Sequence, residues 1–178
     1  MSPNTITSIM VLSVSAWLIV CAICDWRKRE IPLWLTIVPL IASIIWGAIC
    51  GNAAASLLAV MMLFITDFNK KPAIVLSILS LAFAIIVSFT LFPYNFESLF
   101  PLFIVFGYSL IWYFGKTGGS DAKILITLTL LFGTPAFLYA VIAGGIAGLI
   151  GLILKKKQIP LVVPIALGSM VFFSVYLL

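Results

Sequence analysis

The sequence predicts an all-α, polytopic transmembrane helix bundle of about eight spans, with six to eight compatible with its length, and no soluble domain. Two observations carry this expectation. Hydrophobic residues fill 64% of the 178 positions and charged residues only 8%, against about 45–50% and about 25% in soluble domains. The apolar residues also run in blocks suited to a bilayer core about 30 Å thick, which takes roughly 20 residues at about 1.5 Å each. Mean hydropathy of +1.31 agrees, and residues 1–178 read as a single integral membrane domain held in the lipid bilayer.

The runs fall at about 5–24, 31–49, 53–66, 72–92, 98–114, 122–132, 136–154 and 160–178. Met1 to Thr5 carries no Lys or Arg, which is wrong for a signal-peptide n-region, so the first run is expected to remain as a span. Arg27, Lys28 and Arg29 end it, and Pro32 is placed to start the second. Gly51-Asn52 separates the second and third runs, and Asp67 with Lys70 and Lys71 separates the third and fourth. Pro93 to Glu97 precedes the fifth run, and Gly115 to Lys123 joins it to the sixth. Gly133-Thr134-Pro135 divides 122–154 into two short crossings or re-entrant segments, the alternative being one long span. Lys155 to Lys157 precede the last run. Gly144, Gly148 and Gly151, with Ala143 and Ala147, form a small-xxx-small stripe on which helix backbones are expected to meet.

All ten basic residues lie after the first, third, fifth and seventh runs. The positive-inside rule makes that face cytoplasmic and puts both termini outside. The expected location is therefore a membrane crossed several times with the basic face toward the cytoplasm, and no nucleic-acid partner is expected.

Histidine is absent, which removes Ser-His and Cys-His nucleophiles, HExxH zinc sites and histidine proton relays. Cys21 and Cys24 form a CxxC without a second pair, so they and Cys50 read as small buried apolar side chains. No metal or cofactor is expected. The remaining candidates are five acids. Glu97, Asp67 and Glu30 lie among loop or interfacial charges. Asp25 and Asp121 each sit where an apolar run meets the basic face, where an ionisable group is a functional candidate. Two carboxyls sharing a proton can hydrolyse a peptide bond: one takes a proton from water while the other, protonated, polarises the carbonyl.

Asp121 stands in Gly118-Gly119-Ser120-Asp121-Ala122-Lys123. The glycines allow a tight turn and close approach, and Ser120 is a candidate cap for the following helix. Asp25 is followed by Arg27-Lys28-Arg29 and Ile31-Pro32. Together these stretches resemble the type IV prepilin peptidase family, membrane aspartic proteases of the GxGD type, which also includes preflagellin peptidases. Lys157-Gln-Ile-Pro160 with Ile165-Ala-Leu-Gly168 resembles the family's closing segment. Ser120 replaces the second glycine of GxGD, and Leu33 stands where many members have Asn.

The resemblance implies the short, peptidase-only form, with Asp25 and Asp121 catalytic and Gly118, Gly119, Ser120 and Lys123 supporting the second aspartate. It implies a prepilin-like substrate with a short basic leader, cleaved at the cytoplasmic face, and pilus or secretion machinery as partners; the oligomeric state is left open. Helix position suggests that Asp121, at a helix start, is the base and Asp25, at a helix end, the acid. Lys123, two residues from Asp121, is expected either to anchor at headgroups or to act on a carboxylate or substrate backbone. The rival from another class is a small transporter or channel with Asp25 and Asp121 as its cation or proton site. A non-catalytic component of an assembly system is a third possibility.

Overall fold

A computed structural model describes residues 3–65, 70–91, 99–115, 118–153 and 160–177. They form seven α-helices and no strand: α1 (Pro3–Lys28), α2 (Leu33–Ile49), α3 (Ala53–Ile65), α4 (Lys70–Leu91), α5 (Leu99–Tyr113), α6 (Gly119–Ile153) and α7 (Val162–Tyr176). Asp67, Glu97, Lys116, Lys155 to Lys157 and most of the Lys157–Pro160 segment lie outside the described residues.

Local chemistry sets the helix ends. Pro3, Pro72, Pro101 and Pro164 all lie in first turns, where a missing N–H costs no intrahelical bond. At the end of α5, Gly115 adopts φ 66° and its N–H donates to the Trp112 carbonyl at 2.8 Å, a left-handed cap that glycine adopts without strain. Arg29 performs the same function after α1, with φ 56° and its N–H on the Asp25 carbonyl at 3.1 Å.

Segments Thr5–Lys28, Pro72–Thr90 and Gly119–Ile150, in α1, α4 and α6, are long and apolar enough to cross a membrane. The other four helices have 13 to 17 residues, about 20–26 Å at 1.5 Å per residue. Within α6, Gly133 has φ 77° and ψ −168°, which interrupts the helix at the expected break. Pro135 follows two residues later and brings no N–H of its own.

The chain divides into two compact units, Met1–Leu35 with Pro135–Leu178, and Thr36–Thr134. In the first, α1 packs along α7. Val11, Val14, Leu18 and Cys21 form the buried stripe of α1, while Ile165, Ala166, Ser169, Phe172 and Phe173 are buried on α7. After the break, α6 buries Ala136 and Ala140, and Tyr139 meets Phe172 with ring centroids 5.8 Å apart. The close backbone approach is at Gly168, against the Tyr139 carbonyl, where an added Cβ would lie 2.7 Å from Ala143 Cβ. Of the small-residue stripe, Ala143 makes this contact, whereas a Cβ on Gly144 would be an ordinary 3.7 Å from Ile165 Cγ1 and one on Gly148 would meet nothing within 4 Å. Trp17 closes another gap. Pro39 inside α2 has no N–H for the Leu35 carbonyl, and the Trp17 indole donates to that carbonyl at 2.7 Å.

In the second unit α3 is buried through Ala54, Ala55, Leu58, Ala59, Met62 and Ile65, and it packs on both α4 and α5. Leu40, Ala73, Ala84, Leu102, Val105, Ile126 and Leu130 complete this core. At the α2–α3 turn, a Cβ on Gly47 would come within 2.7 Å of Ser56 Oγ. The cysteines divide rather than all being buried: Cys21 is buried, Cys24 half-buried and Cys50 exposed.

Candidate active site

Asp25 lies in the last turn of α1, and its backbone carbonyl belongs to the Arg29 cap. Its half-buried side chain has a second task. Oδ2 accepts the N–H of Val162, the first residue of α7, at 3.0 Å. Leu161, the residue preceding α7, has no side-chain oxygen and makes no cap bond. Asp25 therefore supplies from another helix the acceptor that a Ser, Thr or Asp would supply locally. Its carboxyl meets the negative dipole end of its own helix and the positive end of α7. The α7 contribution opposes that of α1 at Asp25, while Asp121 keeps its expected place at a helix start.

Asp121 occupies the first turn of α6 and is half-buried. The helix starts at Gly119, and Ala122 N–H donates to the Gly118 carbonyl at 3.2 Å. The flanking position is thus Gly118, and Ser120 lies inside the first turn instead of capping it. The carboxylate folds back over Gly118: an added Cβ there would be 3.0 Å from Asp121 Oδ2. Gly118 leaves open the space used by the carboxylate.

Gly119 serves a different neighbour. Its added Cβ would lie 2.7 Å from Trp112 Nε1 and 3.3 Å from Cε2, so the glycine admits the indole edge. Neither glycine has a positive φ; among the described residues of this connection the left-handed one is Gly115. The expected close approach is present, but the tight turning lies three residues earlier.

Lys123 does not extend to headgroups. It is only 7% exposed, and its ammonium lies 5.1 Å from the centroid of the Trp112 ring, within cation–π range. Leu40, Met62, Leu63, Ser109 and Ile126 surround a water-sized cavity beside this pair. Trp112 is thus a site residue that sequence reasoning missed. It precedes Gly119 by seven positions and looks like an ordinary apolar-run aromatic; only its shared contact with Gly119 and Lys123 distinguishes it.

The structure joins Gly118 with Asp121 and joins Gly119 with Trp112 and Lys123. Asp25 instead joins α7, in the other compact unit from Asp121. Each aspartate terminates a helix beside a backbone built to receive it, an arrangement able to hold a carboxyl in a defined orientation. Comparison with known protein families, with curated proteins and with solved structures finds no match in any of the three.

Proposed function

We propose that this protein is a membrane aspartic endopeptidase that removes the short basic leader from pilin-like precursors at the cytoplasmic face of a prokaryotic inner membrane. Asp25 and Asp121 supply the two carboxyls. The observation that carries the proposal is the fit between motif and geometry at the second aspartate: Gly118 provides the space into which Asp121 Oδ2 folds. A loop acid serving only as a solvated charge requires no such gap. The absence of histidine and the three ordered stretches resembling the prepilin peptidase family support the same chemistry.

Hydrolysis proceeds with one carboxylate removing a proton from water as it attacks the scissile carbonyl, while the other carboxyl donates a hydrogen bond to the developing oxyanion. Collapse of the tetrahedral intermediate returns a proton to the leaving amine. The basic clusters orient the chain so that the last turn of α1 and the first turn of α6 share the cytoplasmic side. On this reading α6 counts as two short membrane segments divided at Gly133, for eight in all.

The test is cleavage of a synthetic precursor by the full chain in detergent. Asp25→Asn and Asp121→Asn are each expected to lower the rate by at least about 100-fold, the scale of general acid–base catalysis, with both proteins still membrane-inserted. Near wild-type cleavage by Asp121→Asn refutes the proposal. Ion flux in place of cleavage, abolished by the same substitutions, establishes the transporter alternative instead.

A further inference from the structure

We infer that the groove between α1 and α7 binds an anionic phospholipid, with an acyl chain along its length and the phosphate on Arg27. Ile19, Ile23 and Arg27 line one wall at four-residue spacing; Val163, Leu167 and Met170 line the other. Each set follows one helix face. The groove has a volume of about 510 Å³, inside the roughly 300–1,000 Å³ range of small-molecule sites.

Its polarity is graded. Among the described residues Arg27 is the only ionisable one of the lining, and it forms no ion pair or hydrogen bond with another of them. Trp26 lines the same end, 68% exposed, the placement of an interfacial aromatic anchor. The remaining walls are aliphatic or Met side chains. Lys28 and Arg29 follow immediately and are exposed, so the mouth attracts anions even with Glu30 beside it. At the α7 N-terminus Asp25 already accepts the Val162 N–H, so that donor is not offered to the phosphate.

An apolar channel with, among the described residues, one unpaired cation at its interfacial end is complementary to a lipid with a negative headgroup. A zwitterionic lipid fits the channel but gains less from Arg27. A basic peptide helix fits it poorly, since its charges would meet Arg27. The inference rests on the membrane character of the chain and is independent of proteolysis.

The test is native mass spectrometry of the full-length protein in a neutral detergent, titrated with dioleoyl phosphatidylglycerol, with dioleoyl phosphatidylcholine of the same tails, or with glycerol phosphate. Phosphatidylglycerol is expected to bind about fivefold more tightly than phosphatidylcholine, the ratio given by one basic side chain near an anionic headgroup. Glycerol phosphate is expected not to compete. Arg27→Gln should abolish the preference while retaining tail binding, and Ala22→Trp, which fills the groove, should lower the affinity for both lipids. Equal affinities in the wild type, a preference surviving in Arg27→Gln, competition by glycerol phosphate, or displacement of lipid by a basic apolar peptide each overturn the inference. Circular dichroism of both variants verifies that the helices are retained; if Ala22→Trp unfolds, the Arg27→Gln comparison still decides the matter.

Discussion

Gly168→Ala is the sharpest stability test of the α6–α7 contact. The new methyl group would meet the backbone carbonyl of Tyr139 and lie 2.7 Å from Ala143 Cβ. A carbonyl cannot rotate aside as a side-chain terminus can, so the helices must separate. Overfilling a close-packed contact costs about 1–3 kcal/mol, and backbone obstruction places this site toward the upper end. Replacing a helical glycine returns up to about 1 kcal/mol. The net is a loss of about 2 kcal/mol, a fall of roughly 4–8 °C in Tm for a chain of this size. Gly144→Ala and Gly148→Ala provide internal controls, since their methyl groups meet an ordinary contact and open space respectively; both should equal or slightly exceed wild type. Thermal unfolding in detergent can be followed with a thiol-reactive dye in a Cys24→Ser, Cys50→Ser background, because Cys21 is buried and reacts as α1 leaves α7. Wild-type stability of Gly168→Ala, or an equal loss in Gly148→Ala, would refute the assignment of the close contact.

Asp25→Asn retains an oxygen able to accept the Val162 N–H and should unfold near the wild-type temperature, whereas Asp25→Leu loses the cap and about 0.5–2 kcal/mol; equal melting temperatures would exclude the capping role. Gly118→Ala crowds Asp121 Oδ2 and should slow precursor cleavage by up to about 100-fold, the penalty of a misplaced reacting group, while changing stability by less than about 1 kcal/mol. Unchanged cleavage by that variant would show that the gap is dispensable. Trp17→Phe leaves the Leu35 carbonyl without its indole donor and should cost about 1–3 kcal/mol in denaturation experiments. Trp112→Leu should relieve the clash introduced by Gly119→Ala, so the double variant should be more stable than the two single losses imply, as read in a double-mutant cycle.

Much of the helical layout was legible because interruptions in this apolar chain are chemically distinct. Arg27 to Arg29, Gly51, Gly115 and the Gly133–Pro135 pair lie at or beside changes in backbone conformation. The orientation of each helix was less legible, since a helix apolar all round does not reveal which stripe meets protein. The α6 stripe therefore makes its tight contact through Ala143 rather than Gly144 or Gly148, and the glycine that this contact requires is Gly168 on α7. Both aspartates stood out, but their settings did not. The partner of Asp25 is a backbone amide 137 positions away, and no local pattern encodes that bond. Lys123 looked interfacial because a charge in an apolar chain ordinarily reaches for water; Trp112 instead gives it a buried aromatic face.

The unit containing α1 and α7 is discontinuous: residues 36–134 are inserted between its two parts. During synthesis the second unit can collapse around α3 once α6 has begun to emerge, while α1 still lacks its partner. At roughly 5–20 residues per second, the 137 positions separating Asp25 from Val162 take about 7–27 s to make. The carboxyl of Asp25 therefore acquires its bond to α7 only well after α1 has been made. A ribosome-bound chain cut short before Val162 would contain the whole GGSDAK segment yet leave the other aspartate unanchored, giving the nascent protein a built-in delay before both acids reach their final settings.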